Sequence, residues 1–301
     1  MPQPESIVVL GAGAIGSVYA AKLSAQHPVT VVARPDHVES IRANGLRLTG
    51  REPMTVRVNA VTGLEAMAPN TVVLLTTKVN ASEAALAPIA DLVRDDTVIV
   101  CVQNGLDSEG IARRAVRDRC VVLRAITQFG AIFQGPGLIN FTASGYTLLE
   151  DGPLSGGIAA MLTAAGLDGR ISADIKTEIW RKLIFNCVIN PITAITGTEV
   201  GGIADPRLDS LKRLVIDECL AVARSEGVTF AIDFLPTISE VFGASKTIAS
   251  MRQDLMRGRP TEIDHMNGAV AALGRRTGID CPVNSALTDI IKAMDRCTMA
   301  P

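Results

Sequence analysis

Over the first 125 residues, apolar positions come in short unbroken runs separated by longer amphipathic stretches. Residues 6–10, 29–33, 71–76, 97–102 and 121–126 read as strands buried on both faces. Helical spacing fills intervals between them at 17–25, about 36–44, 81–92 (where Pro88 predicts a kink) and 111–117. A further strand is expected near 54–61, and 138–149 reads as a hairpin turning at Ala143-Ser144-Gly145. Regular alternation of strand and helix predicts an α/β fold with a doubly wound parallel sheet. From Asp174 onward the strand signals almost vanish. Helical patterns cover 174–190, 207–226, 234–256, 261–277 and 283–296, punctuated by Pro191, Gly201-Gly202, Gly227, Pro260, Gly278 and Pro282. The expected organisation is an α/β domain over 1–170 followed by a mostly α-helical domain over 171–301.

The segment from Trp180 to Pro191 breaks the ordinary amphipathic pattern. As a helix it is apolar almost all round, through Leu183, Ile184, Phe185, Cys187, Val188 and Ile189, which predicts burial. Yet Lys182, Asn186 and Asn190 recur at i, i+4 and i+8 and share one face. A lysine in a narrow polar stripe on a buried helix is costly unless something polar lies opposite. Taken alone, the stripe fits a snorkelling lysine with two asparagines in a helix–helix network as well as it fits an active site.

The other end of the chain carries Gly11-Ala12-Gly13-Ala14-Ile15-Gly16, placed directly after a strand and before a helix. That context turns a common glycine pattern into a dinucleotide-binding signature. Gly11 is expected to permit the tight turn, Gly13 to let backbone approach a pyrophosphate, and Gly16 to let helix and strand pack closely. The helix N-terminus would face the phosphate charge. The second strand ends without the acid that usually binds a ribose 2′-hydroxyl; Arg34 follows instead, which suits a 2′-phosphate and predicts NADP(H). Lys78 and Asn104 follow later strands, at the carboxyl edge where open α/β sheets bind ligands. Gly130-Ala131 are small enough to let backbone approach a nicotinamide.

Composition narrows the classes. A net charge of −2 with no long basic run argues against nucleic acid. No apolar run reaches about 18–20 residues, so no membrane span is expected. Pro2, Pro4 and Glu5 lead straight into a strand without a signal-like segment. Cys101, Cys120, Cys187, Cys219, Cys281 and Cys297 are dispersed, and His27, His37 and His265 are the only histidines. Neither a zinc site nor a disulfide framework is indicated, and a cytoplasmic protein with reduced thiols is expected. With histidine scarce, a lysine is the natural candidate for any proton donor.

Taken together, Gly11–Gly16, Thr77-Lys78, Gln103-Asn104-Gly105, the 180–191 segment, Ser250-Met251-Arg252-Gln253-Asp254, Thr261-Glu262-Ile263-Asp264 and Pro282-Val283-Asn284 resemble the ketopantoate reductase family over nearly the whole length. The resemblance implies a Rossmann-like domain and a helical domain, with NADPH-dependent reduction of a small branched 2-keto acid. It places the general acid on Lys182, substrate-binding residues on Asn104, Asn186, Asn190 and Ser250, and Glu262 near substrate and nicotinamide ribose. Lys78 and Arg34 match its cofactor-side basic residues. The family often has His-Asn-Gly where this chain has Gln103-Asn104-Gly105. The 196–200 loop also lacks an asparagine expected of well-characterised members, which bears on the substrate more than on the reaction. A 2-keto acid reductase with another side-chain pocket and a non-catalytic NADP-binding sensor are the alternatives. Monomer and homodimer are both open.

Overall fold

The computed structural model describes residues 4–299, with side chains described as far as Arg296. The readings made for Pro2 and Cys297 lie outside these bounds. Two compact units divide the chain, one ending at Ile175 and the next beginning at Lys176.

The first unit runs β1 (Ser6–Leu10), α1 (Ala14–Leu23), β2 (Val29–Val32), α2 (Pro35–Asn44), β3 (Leu46–Gly50), β4 (Met54–Val56), β5 (Asn59–Val61), β6 (Thr71–Leu75), α3 (Ser82–Leu86), β7 (Val98–Cys101), α4 (Ser108–Val116), β8 (Val121–Thr127), β9 (Gly130–Gly135), β10 (Leu138–Ala143), β11 (Thr147–Glu150), α5 (Ser155–Ala164) and β12 (Gly169–Ser172). The main sheet has the order β12-β11-β8-β7-β6-β1-β2-β5. From β8 to β5 every pairing is parallel. The chain winds outward from β1 to β2 and β5, then returns to β6 on its other side. The β1/β6 boundary is therefore the switch point at which α/β sheets bind ligands. Alternating side chains feed two cores. Ile7, Val9, Val31, Val72, Leu74, Val98 and Val100 join one with the apolar face of α1, and Val8, Leu10, Val73, Leu75, Ile99 and Cys101 join the other with Leu86 and Ala112.

The expected hairpin over 138–149 does not form. β10 pairs with β9 and β3 in a separate four-stranded sheet, whereas β11 pairs with β8 and β12 in the main one. Ser144-Gly145 is a crossover between sheets, and Gly145 is small because its backbone lies against that of Gln128. The hairpin of this region is β9–β10, turned at Pro136-Gly137 with Gly137 at φ +71°. The strand expected near 54–61 is two strands, β4 against β3 and β5 against β2. The helix expected over 81–92 is interrupted: a 3₁₀ turn at Val79–Ala81, the short α3, and a second 3₁₀ turn at Ala87–Ile89 containing Pro88.

The second unit is helical: α6 (Ile175–Thr196), α7 (Asp209–Ser225), α8 (Phe234–Phe242), α9 (Ser250–Met256), α10 (Asn267–Thr277) and α11 (Pro282–Met299). The pattern over 234–256 resolves into two helices. That over 261–277 begins as a 3₁₀ turn at Ile263–His265 before α10 starts. The largest departure is at Pro191, where α6 does not stop but continues to Thr196. Proline removes the N–H that would bond to the carbonyl four residues back, that of Cys187. The side chain of Asn267 replaces it: Nδ2 donates to the Cys187 carbonyl at 2.9 Å. The same amide donates to Asn284 Oδ1 at 2.9 Å, and Asn284 Nδ2 donates to Glu218 Oε2 at 2.7 Å. Glu218 in turn accepts the backbone N–H groups of Val283 and Asn284, both at 2.8 Å, in the first turn of α11. One buried polar network thus joins α6, α7, α10 and α11.

Candidate active site

Three loops at the carboxyl edge of the main sheet carry the first group of candidate residues. In the loop after β1, Gly11 has φ +101°, and a Cβ there would lie 2.6 Å from the Thr77 backbone nitrogen. A Cβ on Gly16 would lie 2.5 Å from Thr76 Oγ1 and 2.6 Å from the Gly11 carbonyl. Gly13 differs: a Cβ would meet nothing within 4 Å. Gly13 is exposed and extended, and it precedes α1 without a side-chain cap. Uncovered N–H groups at an open helix start are what a diphosphate requires, so this loop fits a dinucleotide. Ala12 is buried, and Ala14 and Ile15 are half-buried in the same turn.

The loop after β6 packs on this one: Thr76 Oγ1 donates to the Gly11 carbonyl at 2.8 Å. Lys78 follows, half-buried, at the start of the 3₁₀ turn before α3. In the loop after β7, buried Gln103 ties this edge together. Its Nε2 donates to Ser82 Oγ at 2.6 Å and to the Thr77 carbonyl at 3.0 Å. Asn104 stands next, half-buried. Arg34 is exposed just beyond β2, at the N-cap of α2. Ala131 lies on β9, packed against the core that includes Ala12 and residues of α1.

Two residues that the motifs did not mark act on these loops. Arg124 on β8 is 2 % exposed and grips the loop after β7. Burial pushes its guanidinium down from the usual arginine range, and Glu109 opposes that. His37, also 2 % exposed, links α2 to the turn before β10 and to the glycine loop. The Gly137 N–H donates to its Nδ1 at 2.8 Å, leaving the proton on Nε2, which faces Ser17 Oγ at 3.4 Å. Ser17 Oγ donates onward to the Ala12 carbonyl at 3.2 Å. Neither residue has a local signature: one is a lone charge within an apolar strand, the other a polar position on an amphipathic helix.

Burial pushes the His37 pKa down from 6.5, so the folded chain holds it neutral while the unfolded chain takes up a proton below that pH. Its contribution to stability is present above about pH 6.5 and is lost as pH falls through the window beneath it. His265 shifts the same way, also through burial. Urea midpoints measured from about pH 7.5 to 5.5 should therefore fall, and should fall less in His37→Gln. An equal fall in the variant would assign the loss to other groups.

In the second unit, α6 presents Lys182 and Asn186 half-buried and Asn190 buried along one face. Asn190 Nδ2 donates to Met266 Sδ at 3.5 Å, which brings the inner end of the stripe to the segment that begins at Glu262. Glu262 is half-buried at the start of the 3₁₀ turn. Thr261 before it is anchored through Oγ1, which donates to Asp295 Oδ2 at 2.8 Å. Ser250 opens α9 at an exposed position, outside the stripe. The segment ahead of it is held by the loop after α6, through the Val200 N–H to the Thr247 carbonyl at 2.8 Å. Among the described residues, no group of three or more His, Cys, Asp or Glu side chains is arranged to hold a metal. No helix among them is long and apolar enough to cross a membrane.

Residues 7–153 match the family model described as Ketopantoate reductase PanE/ApbA, and residues 174–295 match that described as Ketopantoate reductase PanE/ApbA C terminal. The 2-dehydropantoate 2-reductase of Archaeoglobus fulgidus is 31% identical over 299 residues, covering 97% of this chain and 98% of its own. The chain belongs to the ketopantoate reductase family. A solved PanE/ApbA family ketopantoate reductase from Ralstonia eutropha superposes with TM-score 0.91 at 29% identity, over 98% of this chain and all of that one. D-Mandelate dehydrogenase, solved with NADH and anilino(oxo)acetate, superposes with TM-score 0.90 at 25% identity and the same coverage. This ketopantoate reductase family member is an oxidoreductase of the 2-dehydropantoate 2-reductase type that works with a nicotinamide cofactor.

Proposed function

We propose that the chain reduces ketopantoate to pantoate with NADPH, and that Lys182 supplies the proton. The observation that carries this reading is the half-buried Lys182 on the same helix face as Asn186 and Asn190, in a chain whose glycine loop fits a dinucleotide. Bound NADPH supplies the hydride to C2 of the keto acid. The Lys182 ammonium polarises the carbonyl and delivers its proton to the oxygen as charge develops there. Asn186, one turn along, orients that oxygen or the neighbouring hydroxyl, and Asn190 steadies it from behind. Ser250 is a neutral donor suited to the substrate carboxylate, and Asn104 is assigned to substrate binding. Glu262 accepts from a hydroxyl of substrate or ribose. Gly11 to Gly16 receive the diphosphate, Lys78 adds positive charge beside it, and Ala131 leaves room for the nicotinamide.

A second reading keeps the mechanism and changes the substrate. The likeness to D-mandelate dehydrogenase favours another 2-keto acid, including an aryl one. Oxidation of NADPH with ketopantoate, beside pyruvate, 2-ketoisovalerate and benzoylformate, decides between them. Turnover of benzoylformate without ketopantoate selects the second reading. No turnover of any acid, with NADPH still bound, retires both.

Arg34 is assigned to the 2′-phosphate of the cofactor. Arg34→Ala should narrow the preference for NADPH over NADH by roughly 10- to 100-fold, the worth of one or two hydrogen bonds to a charged group. An unchanged ratio of kcat/KM values would make Arg34 a surface residue only.

A further inference from the structure

We propose that Arg124 is a positioning residue that holds Asn104 in place by clamping the backbone on both sides of it. Arg124 Nη1 donates to the carbonyls of Cys101 and Ala125, both at 2.9 Å, and Nη2 donates to that of Gly105 at 3.0 Å. Its Nε lies 3.3 Å from Glu109 Oε2. Cys101 ends β7, and Gly105, at φ +82°, turns the chain toward α4. The two grips therefore bracket the short arc that carries Asn104. Within that arc, Gln103, the residue before Asn104, is fixed by its amide on Thr77 and Ser82.

A guanidinium only 2 % exposed forfeits most of its hydration, and one carboxylate partner that is itself 30% exposed offsets that in part. An aliphatic side chain at this point of β8 would carry no such desolvation penalty of its own. What it would not do is hold three carbonyls in one rigid plane, and a lysine, with a single ammonium, would not do it either. The geometry accounts for an arginine here through the loop it shapes.

This inference rests on the reading of Asn104 as a substrate-binding residue. The test measures ketopantoate and NADPH kinetics for the wild type, Asn104→Ala, Arg124→Lys and the double variant, with NADPH affinity and hydrogen exchange over 102–106. Arg124→Lys should lower kcat/KM for the keto acid by about 10- to 100-fold, the scale expected of a misplaced binding group, while NADPH affinity changes less than about threefold. In the double variant the lysine substitution should add little to the loss already caused by Asn104→Ala. Full additivity overturns the proposal, as does an Arg124→Lys enzyme within about threefold of wild type. A neutral Asn104→Ala variant overturns it together with the assignment of Asn104. If the wild type reduces no keto acid, the functional reading fails by itself, and exchange then decides the clamp: faster at 102–106 in Arg124→Lys upholds it, unchanged refutes it. Should Arg124→Lys not fold, Glu109→Gln loosens the same guanidinium and should cost about three- to tenfold in kcat/KM. No loss in that variant counts against the clamp.

Discussion

Lys182→Ala is expected to lower kcat for keto acid reduction by about 10²- to 10⁴-fold, the range over which a positioned general acid acts. NADPH should bind the variant almost as it binds the wild type, because the residues assigned to the cofactor's diphosphate lie in the first unit and Lys182 lies on α6 of the second. The split between kcat and cofactor affinity is the informative quantity. A loss of both together would mean that the helix, and not the proton donor, had been damaged. Single-turnover rates with saturating NADPH, read alongside the cofactor dissociation constant, separate the two cases. Turnover near the wild-type rate would end the assignment of Lys182.

The second large effect concerns Asn267, which touches no proposed ligand site. Asn267→Ala removes the donor that α6 borrows at Pro191, leaving the Cys187 carbonyl and Asn284 Oδ1 each short of a partner in the core. The Cys187 carbonyl loses its side-chain donor, while Asn284 Oδ1 keeps only the Cys219 thiol at 3.8 Å, which predicts a loss of roughly 1–3 kcal/mol in unfolding free energy. The test of cause is a second substitution. Pro191→Ala restores a backbone N–H at the position that bonds to Cys187, so in the Asn267→Ala background it should recover about 1 kcal/mol or more. On its own, Pro191→Ala should matter little, since Asn267 already serves that carbonyl. A denaturant series on the four proteins closes the cycle. If the proline substitution rescues nothing, the borrowed hydrogen bond is not what stabilises this junction.

Pro191 also shows where local sequence stops being informative. A proline after a helical pattern reads as a stop, because the missing donor cannot be seen to return from 76 residues further along the chain. Asn267 itself lies inside the helical pattern over 261–277, where nothing local marks it as a partner for a distant carbonyl. The same blindness to distant partners misassigned 138–149: the alternation of apolar residues on β10 and β11 is real, but alternation does not say which strand lies alongside. β9 was invisible because it is only half-buried along most of its length and so carries no contrast between its faces. By contrast, β1, β6, β7 and β8 were legible because burial on both faces leaves continuous apolar runs. The 182–186–190 stripe could be placed on one helix face from its spacing, and the glycine loop could be recognised from its place between a strand and a helix. Arg124 and His37 could not, since each is defined by backbone groups brought to it from other elements.

The three glycines after β1 answer to two different selective pressures. Gly11 and Gly16 leave no room for a side chain against Thr76 and Thr77, so any descendant that keeps this fold must keep them, whether or not it retains an activity. Gly13 has open space where a side chain would go, so packing does not require a glycine there. In a lineage that had abandoned the cofactor, the outer pair would persist as a fossil of the architecture while the middle position drifted. A relative bearing only the outer two would be a scaffold that had outlived its chemistry.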